Sequence, residues 1–130
     1  MLLPGWIEAL DKAAFGETFG PLGEKERLIT IGEQGFARWN VLVVAEEAEL
    51  LRIAVDPQSR RAGLGRRLLE QSEEELSALG ITQLFLEVRE SNLAARALYL
   101  RCGFFVSGRR KEYYRDGEAA VLYAKHVGPR

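Results

Sequence analysis

Arg60, Arg61, Arg66 and Arg67 crowd one short stretch, with Ala62, Gly63, Leu64 and Gly65 between them. An apolar run, Leu50 to Val55, comes before it. Asp56-Pro57 ends that run, because proline has no N–H for a strand ladder. From Leu64 the apolar residues Leu64, Leu68, Leu69, Leu76 and Leu79 follow helical spacing. The arginines therefore gather at a helix start, where the macrodipole is already positive and each cation is disfavoured by roughly 0.3–1 kcal/mol. Such a start is suited to an anion. Helix N–H groups point outward there, and glycines let a ligand approach the backbone. Phosphate or pyrophosphate is the chemistry implied. On charge alone, a solvated basic loop is the plainer alternative. Neither a Gly-Lys-Ser/Thr P-loop ending nor a Rossmann Gly-x-Gly-x-x-Gly is present.

A second candidate is Glu87, a carboxylate within the largely apolar strand-like run Ile81 to Val88. Leu84, Leu86 and Val88 alternate with Gln83, Phe85 and Glu87. A carboxylate so placed is hydrogen-bonded or has its pKa raised by desolvation, unless it simply reaches solvent near a strand end. Ser91 or Asn92 caps the next helix, which runs to about Arg101 and stops at Gly103. At about 100° per residue, Asn92, Ala95 and Tyr99 make a stripe across which a long thin ligand could lie. Leu93, Ala97 and Leu100 are the expected core stripe. Cys102 has no evident base beside it, and small buried cysteines are common. His126 is the only histidine. A hydrolase triad or a zinc site therefore has little to draw on.

The elements that must position these residues follow in order. Pro4 to Phe15 reads as a short amphipathic helix, and Phe15 to Glu24 as a loop. Arg27 to Ile31, Phe36 to Ala45 and Glu49 to Val55 read as an antiparallel meander, with turns at Gly32–Gly35 and Glu46-Glu47. Leu51, Ile53 and Val55 are expected on one face of the third strand, and Leu50, Arg52 and Ala54 on the other. The helix from Leu64 to Leu79 crosses to the strand Ile81 to Val88, so those two strands should be parallel. Glu73, Glu74 and Glu75 are expected on the helix's solvated face. Strands from Phe104 and from Ala119 to Lys125 close the pattern, with an Asp116-Gly117 turn before the last.

The chain has 130 residues, a single domain by length. Its net charge of −1 gives no bulk argument for nucleic acid or an anionic membrane. One cysteine fits a reducing compartment. The N-terminus lacks the basic start and long apolar core of a signal peptide, and no membrane span is evident. A cytoplasmic protein is expected.

From Leu50 to about Lys125 the chain resembles the GCN5-related N-acetyltransferases (GNAT). The matching stretches are Ile53 to Pro57, Arg60 to Arg66, Leu86 to Asn92, Ala95 to Tyr99, Gly103-Phe104 and Arg110 to Tyr114. They resemble most the subgroup that acetylates protein N-termini, including the N-terminal alanine of a ribosomal protein. The resemblance implies an α+β fold: a mixed central sheet flanked by helices, with a βαβ cofactor-binding core spanning residues 1–130 as one domain. It implies acetyl-CoA as co-substrate and no metal. Ile53, Ala54 and Val55 would lend backbone groups to the pantetheine arm. Arg61, Ala62, Gly63, Leu64, Gly65 and Arg66 would cradle the pyrophosphate, with Arg60 beside them, and Asn92 would hydrogen-bond the pantetheine. Glu87 matches the family's general base and Tyr99 its general acid. The implied acceptor is a protein N-terminus, with a small-subunit ribosomal protein as candidate. Three alternatives compete with it: acetylation of a small amine or lysine, a non-catalytic acyl-CoA-binding module, and nucleic-acid binding through the arginines. The resemblance is weak before about Ala45. Near the C-terminus Ala119 follows Glu118, and Tyr123 stands where the subgroup often carries Met.

Overall fold

The structure is a computed structural model. It describes residues 2–128, and of residues 60–62 the backbone alone. The elements are α1 (Gly5–Phe15), β1 (Glu26–Ile31), β2 (Gly35–Leu42), β3 (Glu47–Val55), a 3-10 segment (Pro57–Ala62), α2 (Leu64–Ala78), β4 (Gln83–Arg89), α3 (Leu93–Arg101), β5 (Phe105–Arg110) and β6 (Ala120–His126). The strands form one six-stranded sheet in the order β1-β2-β3-β4-β6-β5. All neighbours are antiparallel except β3 and β4, which run parallel as the crossover through α2 requires.

One face of the sheet carries the main core. Trp39, Leu50, Leu68, Leu69, Leu76, Leu84, Leu86 and Tyr123 bury there. The indole N–H of Trp39 donates to Ser72 Oγ on α2 at 3.0 Å, which satisfies a donor that burial would otherwise penalise. The opposite face takes α1, where Ile7 packs with Phe36 and Ala54. Among the described residues no helix is long and apolar enough to cross a membrane.

The pairing of β2 with β3 is irregular between Arg38 and Trp39, whose partners are Arg52 and Leu50. Leu51 is the extra residue, and a bulge of this kind reverses which face later residues occupy. Leu50 therefore shares the main core with Ile53 and Val55, while Ala54 packs under α1. The expected grouping of Leu50 with Arg52 and Ala54 is overturned for that reason. Simple alternation does not count an inserted residue. The β2–β3 turn also falls earlier than expected, closed by Glu46 N–H donating to the Val43 carbonyl, with Glu46 at φ 58°.

Two further expectations fail. Leu93 and Leu100 are 69% and 54% exposed, so the core stripe of α3 is not theirs. The sequence of α3 has apolar residues on every side. Tyr99 is the one buried among them, against Phe104 and Tyr123. Glu73 is not simply solvated, because it pairs with Lys125 Nζ and both side chains are largely buried.

Candidate active site

Strands β3 and β4 are paired only where Glu47–Glu49 meet Gln83–Phe85. Beyond that point β3 stays paired to β2 along one edge, Ile53 with Ala37 and Val55 with Gly35, and separates from β4 along the other. The separation leaves an open cleft of about 590 Å³. Ile53, Ala54, Val55, Gly63, Gly65, Arg66 and Asn92 all line it. These residues come from a strand, a loop and two helix starts, and the fold brings them together.

The glycines work in different ways. Gly63 has φ +70° and open space around it, so its need is conformational. A Cβ on Gly65 would meet Leu98 Cδ2 at 3.1 Å, so this glycine lets α2 lie close against α3. The close helix contact is a requirement for glycine here that holds before any ligand approaches. Gly65→Val should force the helices apart and destabilise the fold by about 1–3 kcal/mol, read as a lowered thermal midpoint. An unchanged midpoint would show that the two helices part there without cost.

Leu64 turns into the core at 2% exposure and is not among the residues that line the cleft. The side chains of Arg60, Arg61 and Ala62 lie outside the described residues. Asn92 caps α3, its Oδ1 accepting from Ala95 N–H at 3.2 Å, which leaves the side-chain amide N–H groups to other partners. The cleft also contains residues the sequence reading passed over: Phe15 at the end of α1, and Ala94, Leu98 and Arg101 on α3.

Glu87 occupies a second cavity of about 400 Å³ on the sheet, with Glu49, Phe85, Ser107, Arg110 and Leu122. It alternates away from buried Leu86 and Val88 and is itself only partly covered. A hydrogen bond with Glu87, followed by its charge, raises the Tyr113 phenol above its ordinary value. Burial first, and the charge of Glu87 second, raise the Glu49 carboxyl, while Arg110 opposes them. Glu49 was missed in the sequence because it reads as a turn-flanking surface residue. The parallel register pairs it with Phe85, two residues from Glu87.

Tyr99 lines neither cavity. Burial pushes its phenol up to about 12. Its ring centroid lies 5.9 Å from that of Tyr123, which does line the Glu87 cavity. Strand β3 links the two spaces: Glu47–Glu49 border the cavity with Glu87, and Ile53–Val55 border the cleft. Among the described residues no group of three or more His, Cys, Asp and Glu side chains is arranged to hold a metal ion.

Residues 28–104, more than half of the chain, match the Acetyltransferase (GNAT) family. The chain belongs to that family. Within it, the [ribosomal protein bS18]-alanine N-acetyltransferase of Escherichia coli K12 is 51% identical over 85 residues, 63% of this chain. That match spans 57% of the relative's length. The crystal structure of the ribosomal-protein-S18-alanine N-acetyltransferase from Escherichia coli superposes with a TM-score of 0.82 at 33% identity, covering 100% of this chain and 94% of that one. An aminoglycoside 6′-N-acetyltransferase complexed with coenzyme A shares the fold alone, with a TM-score of 0.81 at 15% identity over 96% of this chain and 91% of that one. The six-stranded mixed sheet with its βαβ core is therefore the GNAT fold, as the sequence implied.

Proposed function

We propose that the chain is an acetyl-CoA-dependent Nα-acetyltransferase whose acceptor is the free N-terminus of a protein, an N-terminal alanine of the ribosomal protein bS18 type. The observation that carries this is the 51% identity to the bS18-alanine enzyme of Escherichia coli, in a chain that shares that enzyme's whole fold. The fold by itself does not fix the acceptor, since the aminoglycoside enzyme has it too.

The cleft fits coenzyme A by shape and chemistry. The free edge of Ile53–Val55 offers backbone donors and acceptors to an extended amide-bearing arm, as an added strand would take them. The N-terminus of α2, opened by Gly63 and flanked by Arg66, offers N–H groups and a cation to pyrophosphate. Bound acetyl-CoA supplies the acetyl group activated as a thioester. Glu87 removes the proton from the attacking amine, and Tyr99 returns a proton to the departing sulfur. A free α-amine has a pKa of about 8, against about 10.4 for lysine, so its deprotonation near neutral pH asks little of a carboxylate. Holding both reactants in line supplies much of the remaining acceleration.

The test is coenzyme A release from acetyl-CoA with short peptides that differ only at the first residue. One member of the panel is blocked at its N-terminus and carries an internal lysine. Turnover on Ala- or Ser-starting peptides, abolished by blocking, is expected. Turnover only on the blocked lysine peptide would move the acceptor to lysine. Failure with every peptide, but success with small amines, would overturn the protein-acceptor reading.

A further inference from the structure

We propose that Arg101 binds the 3′-phosphate of coenzyme A. This rests on the reading that the cleft takes acetyl-CoA, and it concerns a part of that molecule to which no residue has yet been assigned. Coenzyme A carries its phosphate in two places: a pyrophosphate between pantetheine and ribose, and a separate monoester on the ribose. The first has its cradle at Gly63, Gly65 and Arg66. The second carries about two negative charges near neutral pH and calls for a cation of its own.

The order of groups along α3 indicates which cation. Asn92, Ala95, Leu98 and Arg101 follow one another three residues apart, winding gradually round α3, and all four line the cleft. At about 1.5 Å per residue, Asn92 and Arg101 lie roughly 13 Å apart along the helix axis. Gly65 touches Leu98, so the α2 N-terminus crosses between them. A ligand with pantetheine beside Asn92 and pyrophosphate at Gly65 has its ribose end one helical turn further on, at Arg101. The planar guanidinium there suits a phosphate oxygen pair.

The charge pattern agrees. Arg101 is exposed and forms no ion pair among the described residues, whereas Arg38, Arg52, Arg89 and Arg109 each hold a carboxylate. Arg66 is held only loosely, 3.7 Å from Glu70 with both side chains more than half exposed. The cleft therefore presents two cations whose charge is little used by the protein itself. Arg101 also stands in the last turn of α3, where a cation complements the helix dipole. A purely helix-stabilising role would show in thermal stability and not in the choice of ligand.

The experiment is calorimetric titration of coenzyme A and of 3′-dephospho-coenzyme A into the wild-type chain and into Arg101→Gln, Arg101→Lys and Arg66→Gln. The wild type should prefer coenzyme A by about five- to tenfold, the range of an exposed, charge-assisted contact. Arg101→Gln should lose that preference by weakening coenzyme A alone, and Arg101→Lys should keep most of it. Arg66→Gln should weaken both ligands together with the preference retained. An undiminished preference in Arg101→Gln overturns the proposal, as does equal weakening of both ligands in that variant. A wild-type chain that binds both equally assigns the 3′-phosphate to solvent. One that binds neither overturns the acetyl-CoA reading itself, a distinct failure.

Discussion

Glu87→Gln is expected to lower kcat by roughly 10²–10⁴ while leaving acetyl-CoA affinity within about twofold, the span of a positioned general base. The substitution keeps the shape of the side chain and removes only its capacity to take a proton. Glu87 lines the cavity proposed for the acceptor and is absent from the cleft proposed for the cofactor, so binding and chemistry should separate cleanly. Steady-state rates and calorimetry on the same preparation check this. The group positioned to replace it is Glu49, in the same cavity, whose carboxyl is raised chiefly by burial and then by the charge of Glu87. Near-normal turnover in Glu87→Gln with a collapse in Glu49→Gln would move the base to β3. The acid assigned to Tyr99 sets a further condition on the pH profile. With its phenol pushed up to about 12, it stays protonated at every working pH, so no alkaline fall in rate below that value belongs to it. A loss of rate near pH 9 that vanished in Tyr99→Phe would assign that titration to Tyr99 and show a phenol far less buried than this one.

The cleft was largely legible in the sequence, for a physical reason. Its parts are contiguous in sequence: an apolar strand, a proline break, glycines at a helix start. Local chemistry therefore already records what the backbone must do there. Asn92 was legible twice, as a cap and as a member of a stripe, and both readings place it at the start of α3. The cavity around Glu87 was less legible because it is assembled by register. Glu49 and Arg110 reach Glu87 from strands separated from it in sequence, and only the sheet order shows it. Two failures have the same root. The bulge at Leu51 reverses strand faces without a sequence mark such as glycine, and the all-round apolar α3 offers no periodicity from which to choose its buried side. Gly65 was legible in part. Its residue type signalled close approach, and the group the fold brings against it is Leu98.

The part of the chain with the weakest resemblance carries the largest expected stability effect. Arg38→Met should destabilise the fold by about 3–5 kcal/mol, the cost of removing one partner from a buried ion pair. Arg38 is 2% exposed on β2, inside the sheet. Its guanidinium donates to Glu26 on β1 and to the carbonyls of Gly20 and Pro21 in the loop after α1. The ring of Phe19 lies 4.5 Å from its central carbon. Methionine fills much of the same volume and supplies none of the donors, so one carboxylate and two carbonyls lose their partner in a place with little water. The loop would come away from the sheet together with Phe19, whose backbone N–H donates to Asp11. Asp11 in turn holds Arg52 at 2.7 Å, which ties α1 to β3 beside the cofactor cleft. A chain of this size should lose roughly 10–15 °C in thermal midpoint. Acetyl-CoA should restore part of that loss, because binding to the folded state alone stabilises it by mass action. A midpoint shift below about 2 °C would show that solvent reaches these groups. It would also reduce the network to surface pairing worth at most about 1 kcal/mol. The full shift, with kcat preserved at low temperature, would make this segment a support for the cofactor cleft and not part of the chemistry.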